Sequence, residues 1–103
     1  MRRPGTIYVL SRFSGGAVKI GWSSKWTANA RRSTAQTYSD EPLTILVETP
    51  GTMAQEHALH RTFMQYRRSG EWYRHEGEVR DFVDYLLDGG SVVSYLGAAV
   101  WPP

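Results

Sequence analysis

Two strand-like runs near the start of the chain decide the fold: Thr6-Ile7-Tyr8-Val9-Leu10 and Ala17-Val18-Lys19-Ile20. Both runs are rich in the β-branched and aromatic residues that favour strands. Ser14-Gly15-Gly16 lies between them and supplies glycines, which readily adopt the positive φ angles of a tight turn. The stretch therefore predicts an antiparallel β-hairpin.

Downstream of the hairpin, the sequence predicts a helix and then a third strand. Ser23-Ser24 is suited to cap a helix that covers residues 26–37. The third strand is Leu43-Thr44-Ile45-Leu46-Val47, which is bounded by Pro42 and by Pro50-Gly51.

The second predicted helix has the clearest boundaries. Thr52, with Gln55 three positions later, matches a capping box, and Gly70 after Arg67-Arg68 predicts the C-terminal end. Helical spacing turns three of its residues toward the core: Leu59, Phe63 and Tyr66.

A third helix and an apolar tail follow. The helix ends at Gly89-Gly90 and carries one apolar face, made of Val79, Phe82, Val83 and Leu86. The tail, residues 91–103, is expected to add an edge strand, to cover the core or to contact a partner, including a second copy through residues 91–101. The order β-β-α-β-α-α predicts a small α/β (α+β) domain with three strands and three helices. It is expected to be a single domain over residues 1–103, with its core at about 6–87.

The composition excludes several classes of protein. With 103 residues and 41% hydrophobic content, the chain has enough apolar material for one core but not for two. It contains no cysteine, which excludes disulfides, thiolate zinc sites and cysteine nucleophiles, and fits a reducing, cytoplasmic compartment. No apolar run approaches the roughly 20 residues that a membrane-spanning helix needs.

The charge is unevenly distributed along the chain. The net charge is +2, but the residues through Arg74 include eleven basic and five acidic ones, a balance of +6, and the rest balance at −4. Ten of the twelve basic residues are arginine, whose guanidinium group binds two phosphate oxygens at once. This pattern favours a polyanionic partner, with an ordinary solvated surface as the alternative.

Tyr8 and Lys19 lie on the two strands of the hairpin. Cross-strand neighbours on one face have Cβ atoms about 5 Å apart, so a phenol and an ammonium group can share a site. The cation would favour the phenolate form, which a tyrosine needs to act as a base near neutral pH. The alternative is a half-buried strand tyrosine beside a solvated lysine.

Three further groups carry possible chemistry. Glu56 and His60 are four residues apart on the second predicted helix, with Arg67 on the same face, and a carboxylate with open coordination positions suits Mg²⁺. Arg31-Arg32, near the first helix, is suited to clamp a phosphate. Gly70-Glu71-Trp72-Tyr73 predicts a glycine stop and a short strand whose aromatic residues cover the core. The alternatives are an exposed Glu-His pair and a solvated arginine face.

Taken together, these features resemble the GIY-YIG nuclease superfamily, and more closely its small phage and bacterial branch with a Lys-Ile-Gly second motif. Thr6-Ile7-Tyr8 stands where Gly-Ile-Tyr is expected, and Lys19-Ile20-Gly21 stands where Tyr-Ile-Gly is expected. Arg31 precedes Gln36-Thr37 by the number of residues that is usual in the family. Residues 56–63 read Glu-x-x-Leu-His-x-x-Phe, and Gly70-Glu71-Trp72-Tyr73 matches the element that follows. The resemblance covers roughly residues 6–87.

The resemblance implies a mixed sheet flanked by helices and metal-dependent hydrolysis of DNA. Tyr8 would be the general base or would orient the attacking water, and Lys19 would maintain its phenolate character. Arg31 would bind the scissile phosphate. Glu56 would hold Mg²⁺ (or Mn²⁺), with His60 beside it. DNA is also expected to contact the basic residues Arg12, Lys25, Arg32, Arg67 and Arg68.

Three functions follow as hypotheses. The first is an endonuclease of phage or mobile-element origin, because the chain carries all four chemical groups: Tyr8, Lys19, Arg31 and Glu56. The second is a nucleic-acid-binding or regulatory module that keeps the fold without cutting. The third is a protein that binds a host factor through its acidic third helix and apolar tail.

Overall fold

The predicted hairpin lies at the centre of an antiparallel sheet. The computed structural model describes residues 5–24, 32–33, 35–37 and 39–97. Strand β1 (Thr6–Arg12) pairs with β2 (Ala17–Ser23) on one side and with β3 (Leu43–Pro50) on the other. Tyr8 lies opposite Gly21 and Leu10 lies opposite Lys19, so all four residues belong to one face of the sheet.

A second, shorter hairpin extends the sheet beyond β2. It consists of β4 (Arg67–Ser69) and β5 (Trp72–Arg74), and β5 pairs with β2. The described part of the chain thus forms a five-stranded antiparallel sheet in the order β3-β1-β2-β5-β4. The expectation of a three-stranded mixed sheet was wrong in both respects. The short strand predicted after Gly70 is β5, but β4 was assigned to the preceding helix.

Gly70 explains that error. The helix that begins after Thr52 ends at Thr62, and a 3₁₀ turn, Met64–Tyr66, follows before β4 begins. Gly70 therefore ends no helix. It lies in the β4–β5 turn with φ of 54°, the left-handed conformation that glycine adopts readily. A glycine after two arginines matches a helix C-terminus as well as a hairpin turn, so the local pattern did not separate them.

Three helices have described boundaries: α1 (Met53–Thr62), α2 (Gly77–Leu87) and α3 (Val92–Leu96). The capping box predicted for α1 is confirmed, since Thr52 accepts from the Gln55 amide and the Gln55 side chain accepts from the Thr52 amide. The first predicted helix, over 26–37, lies mostly outside the described residues; residues 32, 33, 35 and 36 are helical. Among the described residues, no helix is long and apolar enough to cross a membrane.

The sheet has an apolar layer on each face. The larger one joins the sheet to α1, α2 and α3, and its buried members include Ile7, Val9, Val18, Ile20, Leu59, Phe63, Val79 and Phe82. The inward face predicted for α2 is confirmed, because Val79, Phe82, Val83 and Leu86 are all buried. The smaller layer, on the opposite face, contains Tyr8, Leu10 and Leu43, with Ala35, Ile45 and Trp72 packed against them.

The described part of the tail covers the core. Residues 92–96 form helix α3 rather than an edge strand, so that alternative was wrong for this part of the tail. Ser91 caps the helix through its hydroxyl, which accepts from the Ser94 amide. Tyr95 packs its ring against Phe82 and Tyr85, with centroids 4.7 and 5.6 Å away. Residues 98–103 lie outside the described part of the chain.

Tyr95 predicts a loss of stability at alkaline pH. Burial raises its pKa, and the charges of Glu78 and Asp81 raise it further. The folded state therefore holds the proton of the Tyr95 hydroxyl more tightly than the unfolded state does. The resulting contribution to the free energy of unfolding is complete below pH of about 10 and is lost as pH rises through the folded pKa. In urea titrations above pH 9, Tyr95→Phe should therefore show a shallower decline in unfolding free energy than the wild type. Equal slopes would contradict this.

Gly21 is predicted to tolerate no side chain. A Cβ placed there would lie 2.4 Å from the Tyr8 hydroxyl oxygen, because the Tyr8 ring crosses β2 at this point. Gly21→Ala should lower the unfolding free energy by about 1–3 kcal/mol through overpacking. Gly15→Asn is the control, since Gly15 has φ of 75° and open space around it, and asparagine tolerates that φ. Equal stability of Gly21→Ala and wild type in urea would refute the contact.

Candidate metal and nucleic-acid site

Helix α1 places Glu56 and His60 side by side. They are one turn apart, and the Glu56 Oε2 lies 3.5 Å from the His60 Nε2. The Glu56 side chain is only 8% exposed and that of His60 is 20% exposed, so both lie at the margin of the core. His57 is also near Glu56, at 3.6 Å, but its side chain is mostly exposed.

Glu71 joins this pair from the β4–β5 turn. Glu56, His60 and Glu71 each offer one ligand atom, and these three atoms lie within 4.8 Å of one another. They line an open cavity of about 350 Å³ that Arg61, Arg67 and Tyr73 also border. Two carboxylates and one imidazole form a possible metal-binding cluster, with donors that suit a divalent cation such as Mn²⁺.

The hydrogen bonding of His60 supports this interpretation. The His60 Nδ1 contacts the Tyr73 hydroxyl, whereas its Nε2 is buried and has no hydrogen-bond partner among the described residues. Metal-binding histidines commonly donate one ring N–H to a neighbouring oxygen, which leaves the other nitrogen free for the ion. His60 has this arrangement when its ring proton is on Nδ1 and is donated to the Tyr73 hydroxyl, because Nε2 then has a free lone pair for an ion.

Tyr73 is suited to hold His60 in this orientation. Its ring is almost fully buried in the main core, and burial raises the pKa of its hydroxyl. The group therefore stays a neutral phenol at physiological pH, able to accept a hydrogen bond from the histidine. The interpretation of Tyr73 as a core-covering residue accounts for its ring but not for this contact.

Lys19 connects the cluster to the opposite face of the sheet. Its ammonium group donates to the Glu71 Oε1 at 3.0 Å. Tyr8 shares a face with Lys19 but is its diagonal rather than its direct neighbour, because Tyr8 pairs with Gly21. Tyr8 is 4% exposed, and its hydroxyl reaches over β2, the strand that carries Lys19. Tyr8 and Lys19 thus lie on one face, and Glu71 bridges Lys19 to Glu56 and His60.

One of the predicted DNA-binding arginines forms part of the wall of the Glu56-His60-Glu71 cavity. Arg67 borders it from β4 and donates to the Gly70 carbonyl at 2.8 Å. The expectation that Arg67 continues the helix face of Glu56 and His60 was wrong, because α1 ends at Thr62. Arg68 is exposed on the same short strand.

The other predicted basic residues lie elsewhere or outside the description. The guanidinium of Arg12 stacks over the Trp72 ring, 4.4 Å from its centroid, on the face that carries Lys19. Arg32 is half-buried, and it is helical, as are residues 33, 35 and 36. Arg31 and Lys25 lie outside the described residues, so their predicted roles stay predictions.

The sequence interpretation missed two members of this site, Glu71 and the Tyr73 hydroxyl. Both belong to Gly70-Glu71-Trp72-Tyr73, a stretch interpreted only as structural. The available signal was a carboxylate beside the turn glycine, one residue before the short strand. This carboxylate could be assigned to the site only with the knowledge that β5 pairs with β2, because that pairing places Glu71 next to Lys19 and α1.

Comparison with known protein families assigns most of the chain to one domain family. The fold and cluster define an α+β domain with an antiparallel sheet and a Glu-His-Glu site at its margin. Residues 5–87 match the T5orf172 domain, and the chain belongs to this family, which is GIY-YIG-like and associated with phages. No curated protein and no solved structure matches the chain.

Proposed function

We propose that this protein is a metal-dependent endonuclease that hydrolyses DNA phosphodiester bonds by a GIY-YIG-type mechanism. The observation that carries the proposal is the Glu56-His60-Glu71 cluster, joined by the Lys19–Glu71 ion pair to the sheet face of Tyr8. Membership of a phage-associated, nuclease-like family supports the same conclusion.

The residues present fit a divalent cation. Glu56, Glu71 and the His60 Nε2, which makes no hydrogen bond within the described residues, would hold Mg²⁺ or Mn²⁺, with Tyr73 fixing the orientation of the histidine. When bound, the ion supplies positive charge that polarises the phosphate and stabilises the leaving oxygen.

The remaining chemistry belongs to side chains of this chain. Hydrolysis forms a bond from the water oxygen to phosphorus, breaks one phosphorus–oxygen ester bond and transfers the water proton to a base. Tyr8 is the proposed base, or it orients the water. Lys19 supplies the positive charge that favours its phenolate, since an ammonium group has three N–H donors and Glu71 uses one. Arg31 is the proposed phosphate ligand.

The positive charge of the first part of the chain is proposed to hold the DNA. Arg67 borders the cavity of the cluster, Arg68 is exposed on the same strand β4, and Arg12 lies on the Lys19 face. Contacts of arginine with phosphate release counterions, so the affinity should fall steeply as the salt concentration rises. DNA binding that does not depend on salt would contradict this part of the proposal.

The test is a cleavage assay with the purified chain. End-labelled single-stranded, duplex and branched oligonucleotides are incubated with Mg²⁺ or Mn²⁺, with EDTA as the control. We expect cleavage of at least one substrate, and only in the presence of metal. Intact DNA across the whole set, with both ions, would contradict the proposal.

One observation favours a second function, a catalytically inactive DNA-binding or regulatory module. Tyr8 is 4% exposed, so the side chain proposed as the base is almost closed to a substrate in this structure. This alternative predicts salt-dependent DNA binding in the same assay without any cleavage.

A further inference from the structure

A second cavity, of about 330 Å³, lies on the sheet face opposite the main core. Its walls include Arg12, Lys19, Ser39, Asp40, Glu41 and Trp72. The cavity is distinct from the one that contains Glu56 and His60, although Lys19 and Glu71 connect the two.

The wall formed by residues 39–41 is held by hydrogen bonds. The Gln36 side chain donates to the Glu41 carbonyl at 2.7 Å and accepts from the Leu43 amide at 2.8 Å. The Ser39 hydroxyl donates to the same Glu41 carbonyl. On the other side, the Ser14 amide donates to the Glu41 carboxylate at 2.8 Å, which ties this segment to the β1–β2 turn. The cavity is therefore pre-formed.

Its lining combines a flat stacking surface with hydrogen-bond acceptors. The Arg12 guanidinium carbon lies 4.4 Å from the centroid of the Trp72 ring, and both groups have flat faces of the kind on which nucleic-acid bases stack. Asp40 and Glu41 supply carboxylate oxygens, which accept hydrogen bonds from an exocyclic amine such as cytosine N4. The Ser14 hydrogen bonds lower the pKa of Glu41, which keeps that carboxylate charged.

The cavity adjoins the Glu56-His60-Glu71 cluster through Lys19, which lines the cavity and donates to Glu71. Trp72 follows Glu71 directly in the chain, and consecutive Cα atoms are about 3.8 Å apart. Lys19 pairs with Trp72 across the strands and donates to Glu71. The phosphate of a nucleotide whose base stacks at Trp72 can therefore reach Lys19, which lies in the same cavity wall.

We propose that this cavity binds one unpaired, amine-bearing base of the DNA strand at the site of cleavage, an inference that rests on the proposed nuclease function. A base inside an intact duplex is stacked and cannot enter a protein cavity unless it is flipped out. The substrates are therefore single-stranded, bulged or mismatched DNA, with cytosine or adenine preferred over thymine at the bound position.

The test measures DNA binding in EDTA by fluorescence anisotropy, so cleavage plays no part. Duplexes of one sequence carry a bulged dC, a bulged dT, a bulged abasic nucleotide or no bulge. The abasic duplex matches the backbone distortion without the base. We expect the bulged dC to bind at least about fivefold more tightly than the abasic bulge, and also more tightly than dT.

Two variants assign that preference to the cavity. Trp72→Leu should remove the difference in affinity between the bulged-dC duplex and the abasic duplex. Asp40→Asn combined with Glu41→Gln, which preserves shape and leaves Trp72 in place, should remove the difference between dC and dT. Asp84→Asn, on the exposed face of α2, is the matched control and should change neither. Equal wild-type affinity for dC and abasic bulges, or variants that keep both preferences, would overturn the proposal.

The two proposals fail separately. Metal-dependent cleavage without any preference for a bulged base would support the nuclease function and refute the proposal that the cavity binds a base. A preference for bulged dC that depends on Trp72, without cleavage in any metal, would retain the cavity as part of a DNA-binding module.

Discussion

Replacement of Glu56 by glutamine is expected to slow metal-dependent DNA cleavage by at least about 100-fold, because a metal ion contributes several kcal/mol of charge stabilisation. Glutamine keeps the size of the side chain but loses its charge and one ligand oxygen. The DNA affinity measured in EDTA should persist, since Glu56 makes no contribution to phosphate binding. The measurement is the single-turnover cleavage rate with saturating Mn²⁺, paired with anisotropy in EDTA.

The control for this variant is Asp84→Asn, which neutralises a carboxylate on the exposed face of α2. It should cleave at the wild-type rate. Thermal unfolding of Glu56→Gln must remain cooperative, since Glu56 is a buried residue. Wild-type cleavage by folded Glu56→Gln would show that the cluster does not serve the reaction.

Tyr8→Phe should slow cleavage by about 10²- to 10⁴-fold, the range that a general acid or base contributes. The ring stays packed against Leu10 and Leu43 in the smaller apolar layer, so only the hydroxyl is lost. Stability in urea should fall by no more than about 1.5 kcal/mol, the upper value for one hydrogen bond. The readout is again the single-turnover rate, with its pH profile.

Tyr85→Phe provides a matched loss of a tyrosine hydroxyl. Tyr85 donates to the Ser91 carbonyl and accepts from the Ser91 amide, and its helix α2 contributes no residue to the cluster or to the cavity around it. This variant should lose stability and keep its cleavage rate. If both variants lost activity to the same degree, the effect of Tyr8 would be structural rather than catalytic.

Local patterns predicted the parts of the fold that depend on neighbouring residues. The β1–β2 hairpin follows from two β-branched runs with glycines between them, and the start of α1 follows from the Thr52–Gln55 capping box. The buried face of α2 follows from helical spacing. Each of these signals lies within a short stretch of sequence, so it is visible without knowledge of the tertiary contacts.

The remaining elements depend on tertiary contacts. Strands β4 and β5 have three residues each, too few to show a period of two, and β5 is defined by its pairing with β2. Helix α3 has five residues and is held by Tyr95 against the rings of Phe63 and Phe82. An apolar run of that length fits a strand equally well when its partners are unknown.

The candidate site also combines residues that local sequence brings together with residues that only tertiary contacts bring together. Glu56 and His60 are neighbours through helical spacing, so the sequence alone brings them together. Glu71 reaches them from a separate hairpin, and its bond with Lys19 spans 52 positions in the chain. The role of Tyr73 depends on a single contact between its hydroxyl and His60, which no local pattern encodes.

The most direct test of the central claim is a titration of the purified chain with Mn²⁺, in which free ion is measured by electron paramagnetic resonance without DNA. The account predicts one bound Mn²⁺ per chain in the wild type. Glu56→Gln, His60→Gln and Glu71→Gln should each weaken that binding by at least about tenfold, since even residues behind the ligands have effects of this size. Asp84→Asn should bind as the wild type does. Absence of Mn²⁺ binding in the wild type, or equal binding in all the variants, would contradict the assignment of Glu56, His60 and Glu71 as a metal site.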